Sequence, residues 1–389
     1  MNTAALPRTP VLTSRLPNVG TTIFTVMSAL AAEHGAVNLG QGFPDFDNDP
    51  RLSDAVTQAM REGLNQYPPM TGVAPLREAV VAKVAALYRH RYDAASEITI
   101  TAGATQAILT AVLASVGPGD EVIVLDPCYD SYVPNIELAG GRVRRVALTA
   151  GTFRPDFAAI AAAITPRTRA MIINTPHNPS ATIWRHEDLQ TLAELLRPTE
   201  IVLIADEVYE HMVYDGQAHA SASSLPELAA RSFVISSFGK TYHVTGWKVG
   251  YVAAPAALMA EFRKVHQFNV FTVNTPMQHG LARFMADPEP YLSLPAFYQR
   301  KRDLFRAGLA GTRFRLLPSE GSYFQCVDYS AISDLGEVDF CRWLTTEIGV
   351  AAIPLSAFYG DGRNQGLVRF CFAKRDETLN SALQRLQRL

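Results

Sequence analysis

The chain has no pair of cysteines at metal-binding or redox spacing. Its four cysteines, Cys128, Cys326, Cys341 and Cys371, are scattered through 389 residues with no CxxC and no repeated interval. That argues against a zinc site or a disulfide frame, and for reduced thiols. Charge of either sign is not in excess: 35 Lys and Arg face 37 Asp and Glu, a formal −2. Neither nucleic acid nor an anionic membrane surface is therefore an expected partner. A long apolar span is missing too. Residues 98–119 carry no charge, but Gly103, Gly117, Pro118 and Gly119 interrupt the run. What remains is about a dozen helical residues, too short to cross a bilayer. The opening stretch MNTAALPRTPVLTSR has no apolar core of the signal-peptide kind. The expectation is a soluble, cytoplasmic protein.

Short β-branched runs are plentiful, and each ends abruptly in polar or turn residues. EITIT (97–101) ends at AGAT and EVIVL (121–125) at DPCYDSY. AMIIN (170–174) ends at TPHNPS, IVLIA (201–205) at DEVY and FVISS (233–237) at FGK. Helical stretches such as 105–116 and 187–197 lie between them. Near-continuous apolar strands alternating with helices predict an α/β fold with a parallel sheet covered on both faces. Ligands of such sheets bind beyond the carboxyl ends of the strands, where all five breaks fall. This pattern runs to about residue 285. Beyond Pro288, Pro290 and Pro295, a charged helical stretch and the strands SYFQCVDY and LVRFCFA predict a smaller α+β domain. Expected boundaries are residues 1–44 for an N-terminal arm packing with the small domain, 45–285 for the large domain and 286–389 for the small one.

Several residues at the breaks carry chemistry, each with a plainer alternative. Asp206 ends a buried strand, where a carboxylate needs a cation or good hydrogen bonds; it is either a helix cap or a counter-charge for a protonated ligand. Tyr209, three residues on, can reach the same ligand. TAGATQA (101–107) is a strand, a glycine turn and a helix start, whose free N–H groups make either an ordinary turn or an anion site with the Thr105 hydroxyl. In NTPHNPSA (174–181) two prolines stiffen a loop carrying Asn178, and His177 there reads as structural. Tyr129 follows DPC at another strand end, as a core residue or a stacking ring. Arg369 interrupts the apolar strand GLVRFCFA, either reaching the surface or clamping a carboxylate.

The segment SSFGKTYHVTGWKVG (236–250) joins these pieces. Lys240 follows a strand and sits among small and hydroxyl residues, with Lys248 eight positions later. A planar, cationic, phosphorylated aldehyde explains the set. Lys240 would be its covalent anchor, Asp206 would hold its ring nitrogen protonated, and Ser237 with Lys248 would neutralise its phosphate.

On SSFGKTYHVTGWKVGY, DEVYEHM 34 residues upstream of Lys240, NTPHNPSA, TAGATQA and NLGQGFPDF, the chain resembles the class I/II aminotransferases of fold type I that depend on pyridoxal 5′-phosphate (PLP). Nearly the whole length takes part. LPNVGTTIFTVMSAL, NQYPPMTGVAPLREA and RKVHQF are most similar to the branch of bacterial methionine aminotransferases and kynurenine aminotransferase/cysteine-S-conjugate β-lyases. The resemblance implies a large domain with a mostly parallel seven-stranded sheet and a small α+β domain. It makes Lys240 the Schiff-base lysine and proton carrier and pairs Asp206 with the ring nitrogen. Tyr209 and Asn178 would bond the ring 3′-oxygen, Tyr129 would stack on the ring, and Ala104, Thr105, Ser237 and Lys248 would hold the phosphate. Tyr67 would reach the phosphate of a second subunit, which implies a homodimer. Arg369, helped by Asn178 and the Gly42 backbone, would grip the substrate α-carboxylate. Two positions depart from the usual pattern. Lys248 stands where many relatives have arginine, and Ala181 stands where glycine is commoner, so it needs a conformation glycine takes more easily.

The implied reaction is ping-pong transfer of an amino group from an L-amino acid to a 2-oxo acid. No second arginine is evident for an acidic side chain. Phe24 in TTIFT and Phe271 in QFNVFTV are the aromatic candidates for the side-chain pocket, which suits methionine, with aromatic residues, leucine or kynurenine as alternatives. A β-lyase acting on cysteine conjugates shares the chemistry as far as the α-carbanion. A non-catalytic ligand sensor is the remote reading, since such regulators carry a DNA-binding domain ahead of this fold.

Overall fold

The computed structural model describes residues 11–389; the first ten residues of the expected N-terminal arm lie outside that range. After β1 (Val37–Asn38), seven strands form the main sheet: β2 (Ile98–Thr101), β3 (Glu121–Asp126), β4 (Arg142–Ala147), β5 (Thr168–Asn174), β6 (Val202–Asp206), β7 (Ser232–Ser237) and β8 (Gly250–Ala253). Their order is β2-β8-β7-β6-β5-β3-β4. β8 runs antiparallel to both its neighbours, and every other adjacent pair is parallel. Helices cover both faces, so β3 is buried along its whole length and β5 and β6 along most of theirs. This explains why their sequences read as continuous apolar runs rather than alternations.

A four-stranded sheet, β12-β13-β10-β9, follows further along the chain. It consists of β9 (Arg315–Leu316), β10 (Phe324–Asp328), β12 (Ile353–Pro354) and β13 (Leu367–Cys371). β11 (Val350–Ala351) pairs instead with β1 in parallel. The N-terminal segment, with its Ile23–Glu33 helix, is thus tied to residues near position 350 before the chain enters the main sheet. Helix Leu294–Leu309 packs on the C-terminal helix Asp376–Leu386, where Gly308 lies so close to Leu383 that an added Cβ would sit 2.4 Å from its Cδ1.

Register places the functional ends side by side. Asn174 of β5 is opposite Asp206 of β6, and Gly250 of β8 is opposite both Thr101 of β2 and Ser237 of β7. All five polar breaks therefore open on one edge of the sheet. The break after β8 is absent from that edge because β8 is antiparallel and brings its N-terminal end there, along with Lys248. Among the described residues, no helix is long and apolar enough to cross a membrane.

Candidate active site

Beyond these strand ends lies a cavity of about 330 Å³. Eleven residues singled out in the sequence line it: Gly42, Ala104, Thr105, Tyr129, Asn178, Asp206, Tyr209, Ser237, Lys240, Lys248 and Arg369. Phe24 lines it as well. Segments 300 residues apart thus meet around one volume.

Lys240 sits in the single turn Phe238–Thr241 that follows β7. Its Nζ donates to the Tyr323 hydroxyl at 2.7 Å and to the Gly42 carbonyl at 3.1 Å. Its pKa is lowered to about 8, chiefly by burial and also by the positive charges of Arg369 and Lys248, against the raising influence of Cys371 and Asp206. An amine with a pKa near 8 keeps a usable neutral fraction at physiological pH, far larger than an ordinary lysine's, as a nucleophile or base requires.

Asp206 closes β6. Burial pushes its carboxyl up to about 6, while hydrogen bonds from the Tyr132 hydroxyl (2.6 Å, to Oδ2) and the Val208 N–H (3.3 Å, to Oδ1) oppose the rise. Its backbone carbonyl accepts from Asn174 Nδ2 at 2.9 Å, and Asn174 Oδ1 accepts from the Asn178 N–H at 2.8 Å. The Asp206 main chain and the Asn178 loop are therefore fixed to each other. The bonds of Thr175, Asn178 and Asp126 to their following prolines are cis. Ala181 adopts φ +63°, the left-handed conformation anticipated for it. His177 is buried, bonds Ser180 through Nδ1 at 2.6 Å, and has its pKa pulled down to about 4 by burial. It is a structural imidazole.

At one end of the cavity the Gly103–Ser115 helix begins without a side-chain cap. Its first N–H groups accompany Ser237 and Lys248, a set suited to a dianion. Gly250 makes this approach feasible: a Cβ there would lie 2.7 Å from the Ser236 carbonyl and 3.2 Å from the Ala104 nitrogen. At the opposite end Arg369, 1% exposed, projects from β13. It donates to Asn178 Oδ1 and, at 3.0 Å, to the Gly40 carbonyl. Its guanidinium carbon lies 3.9 Å from the Phe324 ring centroid, and its Nε has no partner. A buried guanidinium with a free donor beside a cavity is fitted to take a carboxylate.

Beneath the floor, Lys83 pairs with Glu210 at 2.6 Å, both buried. Glu210 also accepts from Ser236, from Tyr251 at 3.1 Å and from Tyr88. Burial alone would raise the Glu210 carboxyl, but Lys83, His211 and these hydrogen bonds hold it well below the usual range.

Two anticipated residues are elsewhere. Tyr67 is 81% exposed and packs edge-on against Phe271 at 5.3 Å. Neither touches the cavity of its own chain, and the QFNVFTV segment does not line it. The reason is placement: that segment leaves the Ala256–Asn269 helix on the molecular surface. Contributors missed include Tyr132, Tyr323, Phe324, Asn174 and Gln41. Asn174, at the end of AMIIN, carried the same strand-end signal as Asp206. Tyr323 arrives from a remote segment with no local motif, and Gln41 lies inside NLGQGFPDF beside Gly42 without having been singled out.

A partly neutral buried amine, a carboxyl group and an anion cradle at the strand ends of one α/β sheet are what carbonyl chemistry on a phosphorylated heteroaromatic aldehyde requires. The fold and site define a PLP-dependent aminotransferase. The chain belongs to that family: the model for aminotransferase class I and II matches residues 34–386. It is 54% identical over 377 residues to the methionine aminotransferase of Escherichia coli K12, covering 97% of this chain and 98% of that one. Human kynurenine–oxoglutarate transaminase 1 is 35% identical over 394 residues, covering 92% and 93%. The crystal structure of YbdL from Escherichia coli, identified with a methionine aminotransferase function, superposes with a TM-score of 0.97 at 53% identity, covering 98% of this chain and 100% of that one. The cofactor of the family is PLP. The residues here fit it on two observations: an uncapped helix start beside Lys248, and a buried Asp206 with, among the described residues, no cation within hydrogen-bond reach.

Proposed function

We propose that this aminotransferase takes the amino group of L-methionine, or of an apolar or aromatic amino acid of similar size, and delivers it to a 2-oxo acid. One observation carries the substrate class. Among the described residues, the cations lining the cavity are Lys240, Lys248 and Arg369, and each has a task already. None is left for a side-chain carboxylate, while Phe24 and Phe324 offer an apolar wall.

In this reading Arg369 binds the α-carboxylate through its free donor edge, with Asn178 orienting the guanidinium. Asp206 holds a proton on the ring nitrogen, and Tyr209 with Asn178 orients the ring oxygen. Tyr129 covers the ring face. Ala104, Thr105, Ser237 and Lys248 bind the phosphate. PLP, when bound, supplies the carbonyl carbon that receives the amino group and the electron-withdrawing ring that acidifies the substrate Cα–H. Lys240 Nζ would take the α-proton and pass it to the carbon that receives the amino group, and would reverse this shift in the second half-reaction, its lowered pKa matching both roles.

The working unit is a cytoplasmic homodimer in this proposal. The exposed Tyr67–Phe271 pair would then complete the partner's site, with Tyr67 on its phosphate, and residues 45–285 and 286–389 would act as the two domains. The test is a donor panel at fixed 2-oxo acid. Methionine and aromatic donors should exceed aspartate and glutamate in kcat/KM by at least about a hundredfold, the scale set by leaving one buried charge unpaired. A preference for dicarboxylic donors overturns the proposal. A preference for kynurenine, or pyruvate release from S-substituted cysteines, would move the protein to the other side of its branch.

A further inference from the structure

We infer that Tyr323 is a positioning residue, whose phenolic oxygen, together with the Gly42 carbonyl, holds the freed Lys240 amine with its lone pair turned into the cavity. The inference rests on Lys240 being the base.

The geometry is a closed triangle. Lys240 Nζ donates to Tyr323 Oη at 2.7 Å and to the Gly42 oxygen at 3.1 Å, while the Tyr323 hydroxyl donates its own proton to the same Gly42 oxygen. With that proton committed, Oη serves as an acceptor towards Lys240. A neutral primary amine has two N–H bonds and one lone pair. The two acceptors take both N–H bonds, so the lone pair is left facing the volume where the substrate Cα must lie. Without the phenol, the Gly42 carbonyl alone restrains the amine at the end of its four-carbon stem, and one N–H is left free to swing.

Tyr323 is suited to this and to little else. It is fully buried, with its ring edge-on to Tyr209 at 5.0 Å and Phe324 at 4.9 Å. Packing alone would be served by phenylalanine, as at Phe324 beside it. Burial raises its phenol well above the ordinary value, so it stays protonated and does not compete with Lys240 for the substrate proton. The other end of the triangle is anchored as well. Arg369 donates to the carbonyl of Gly40, and Lys374 donates to the carbonyl of Phe43 at 2.7 Å. The strap that presents the Gly42 oxygen is thereby held on both sides.

The experiment is Tyr323→Phe, with Lys240→Ala beside it. In Tyr323→Phe, kcat should fall about tenfold, the value of one hydrogen bond to a reacting group, with KM for methionine within about twofold. The primary isotope effect with α-deuterated methionine should rise as proton transfer becomes slower. In cofactor-free protein, the pH midpoint for acylation of Lys240, located by peptide mass spectrometry, should move down by about half a unit, because a charge-assisted acceptor has gone. Wild-type kcat, isotope effect and acylation midpoint would overturn the inference, whatever happens to the melting temperature. Should Tyr323→Phe not fold, a crystal structure of the wild-type enzyme in its amine-loaded form decides. Lys240 Nζ on Tyr323 Oη supports the inference, and an amine placed elsewhere overturns it. An active Lys240→Ala would be a separate failure, of the reading on which the inference rests.

Discussion

Replacing Asp206 with asparagine should make the cofactor-free protein more stable while removing its function. In the wild type, burial lifts the Asp206 carboxyl from an ordinary 3.8 to about 6. A carboxyl whose folded pKa exceeds its unfolded one favours the folded state only while protonated. That contribution is complete below about pH 4 and is lost as the pH rises through about 6. At pH 8 the ionised carboxylate costs about 3 kcal/mol, taking 1.36 kcal/mol per pH unit across the difference. Asparagine is nearly isosteric and stays neutral, and the Tyr132 hydroxyl can turn to accept from its amide. Thermal or urea unfolding of the cofactor-free proteins between pH 4 and 8 is the assay. Asp206→Asn should gain up to about 3 kcal/mol at pH 8, with the gain shrinking towards zero at pH 4. Added PLP should reverse the order, since a cationic ring nitrogen repays the wild type alone. A variant less stable than wild type at pH 8, or a difference that ignores pH, would refute this account of Asp206.

Lys83→Met strands the buried Glu210 carboxylate and should cost about 3–5 kcal/mol, with Lys83→Met/Glu210→Gln recovering a large part in urea unfolding. Arg369→Lys keeps the charge but loses the planar fork. KM for methionine should rise about thirtyfold or more, with little change in PLP affinity measured by equilibrium absorbance. Tyr67→Phe removes a phenol that touches nothing in its own cavity. It should weaken PLP binding about three- to tenfold by titration if the dimer reading holds, and leave binding unchanged if the tyrosine serves only its own subunit.

Legibility followed how locally each function is encoded. Lys240, Asp206 and Asn178 stand at ends of apolar strands, where a polar residue interrupts a readable pattern, and the sheet gathers such ends by topology alone. Arg369 was conspicuous because arginine has no place in a buried strand without a task. β8 was not singled out: GYVA is only four residues long and directly follows the lysine segment, and nothing in it signals that it runs antiparallel to both its neighbours. Tyr323 was hidden by its surroundings: in SYFQCVDY it reads as one more core aromatic, and only tertiary packing brings its hydroxyl to Lys240. Gln41 and Tyr132 lay inside the quoted stretches NLGQGFPDF and DPCYDSY, but nothing local marked them out from their neighbours. Tyr67 was singled out through resemblance, and the single chain leaves it on the surface beside Phe271.

The central claim is that Lys240 holds PLP and that methionine surrenders its amino group to it. The most direct measurement is the absorption spectrum of PLP-loaded protein before and after anaerobic L-methionine, with no 2-oxo acid present. The visible band should disappear as a near-ultraviolet band grows, with one equivalent of 2-oxo acid released per site, and Lys240→Ala should show no such band. A visible band that methionine and every other amino acid leave unchanged would contradict it.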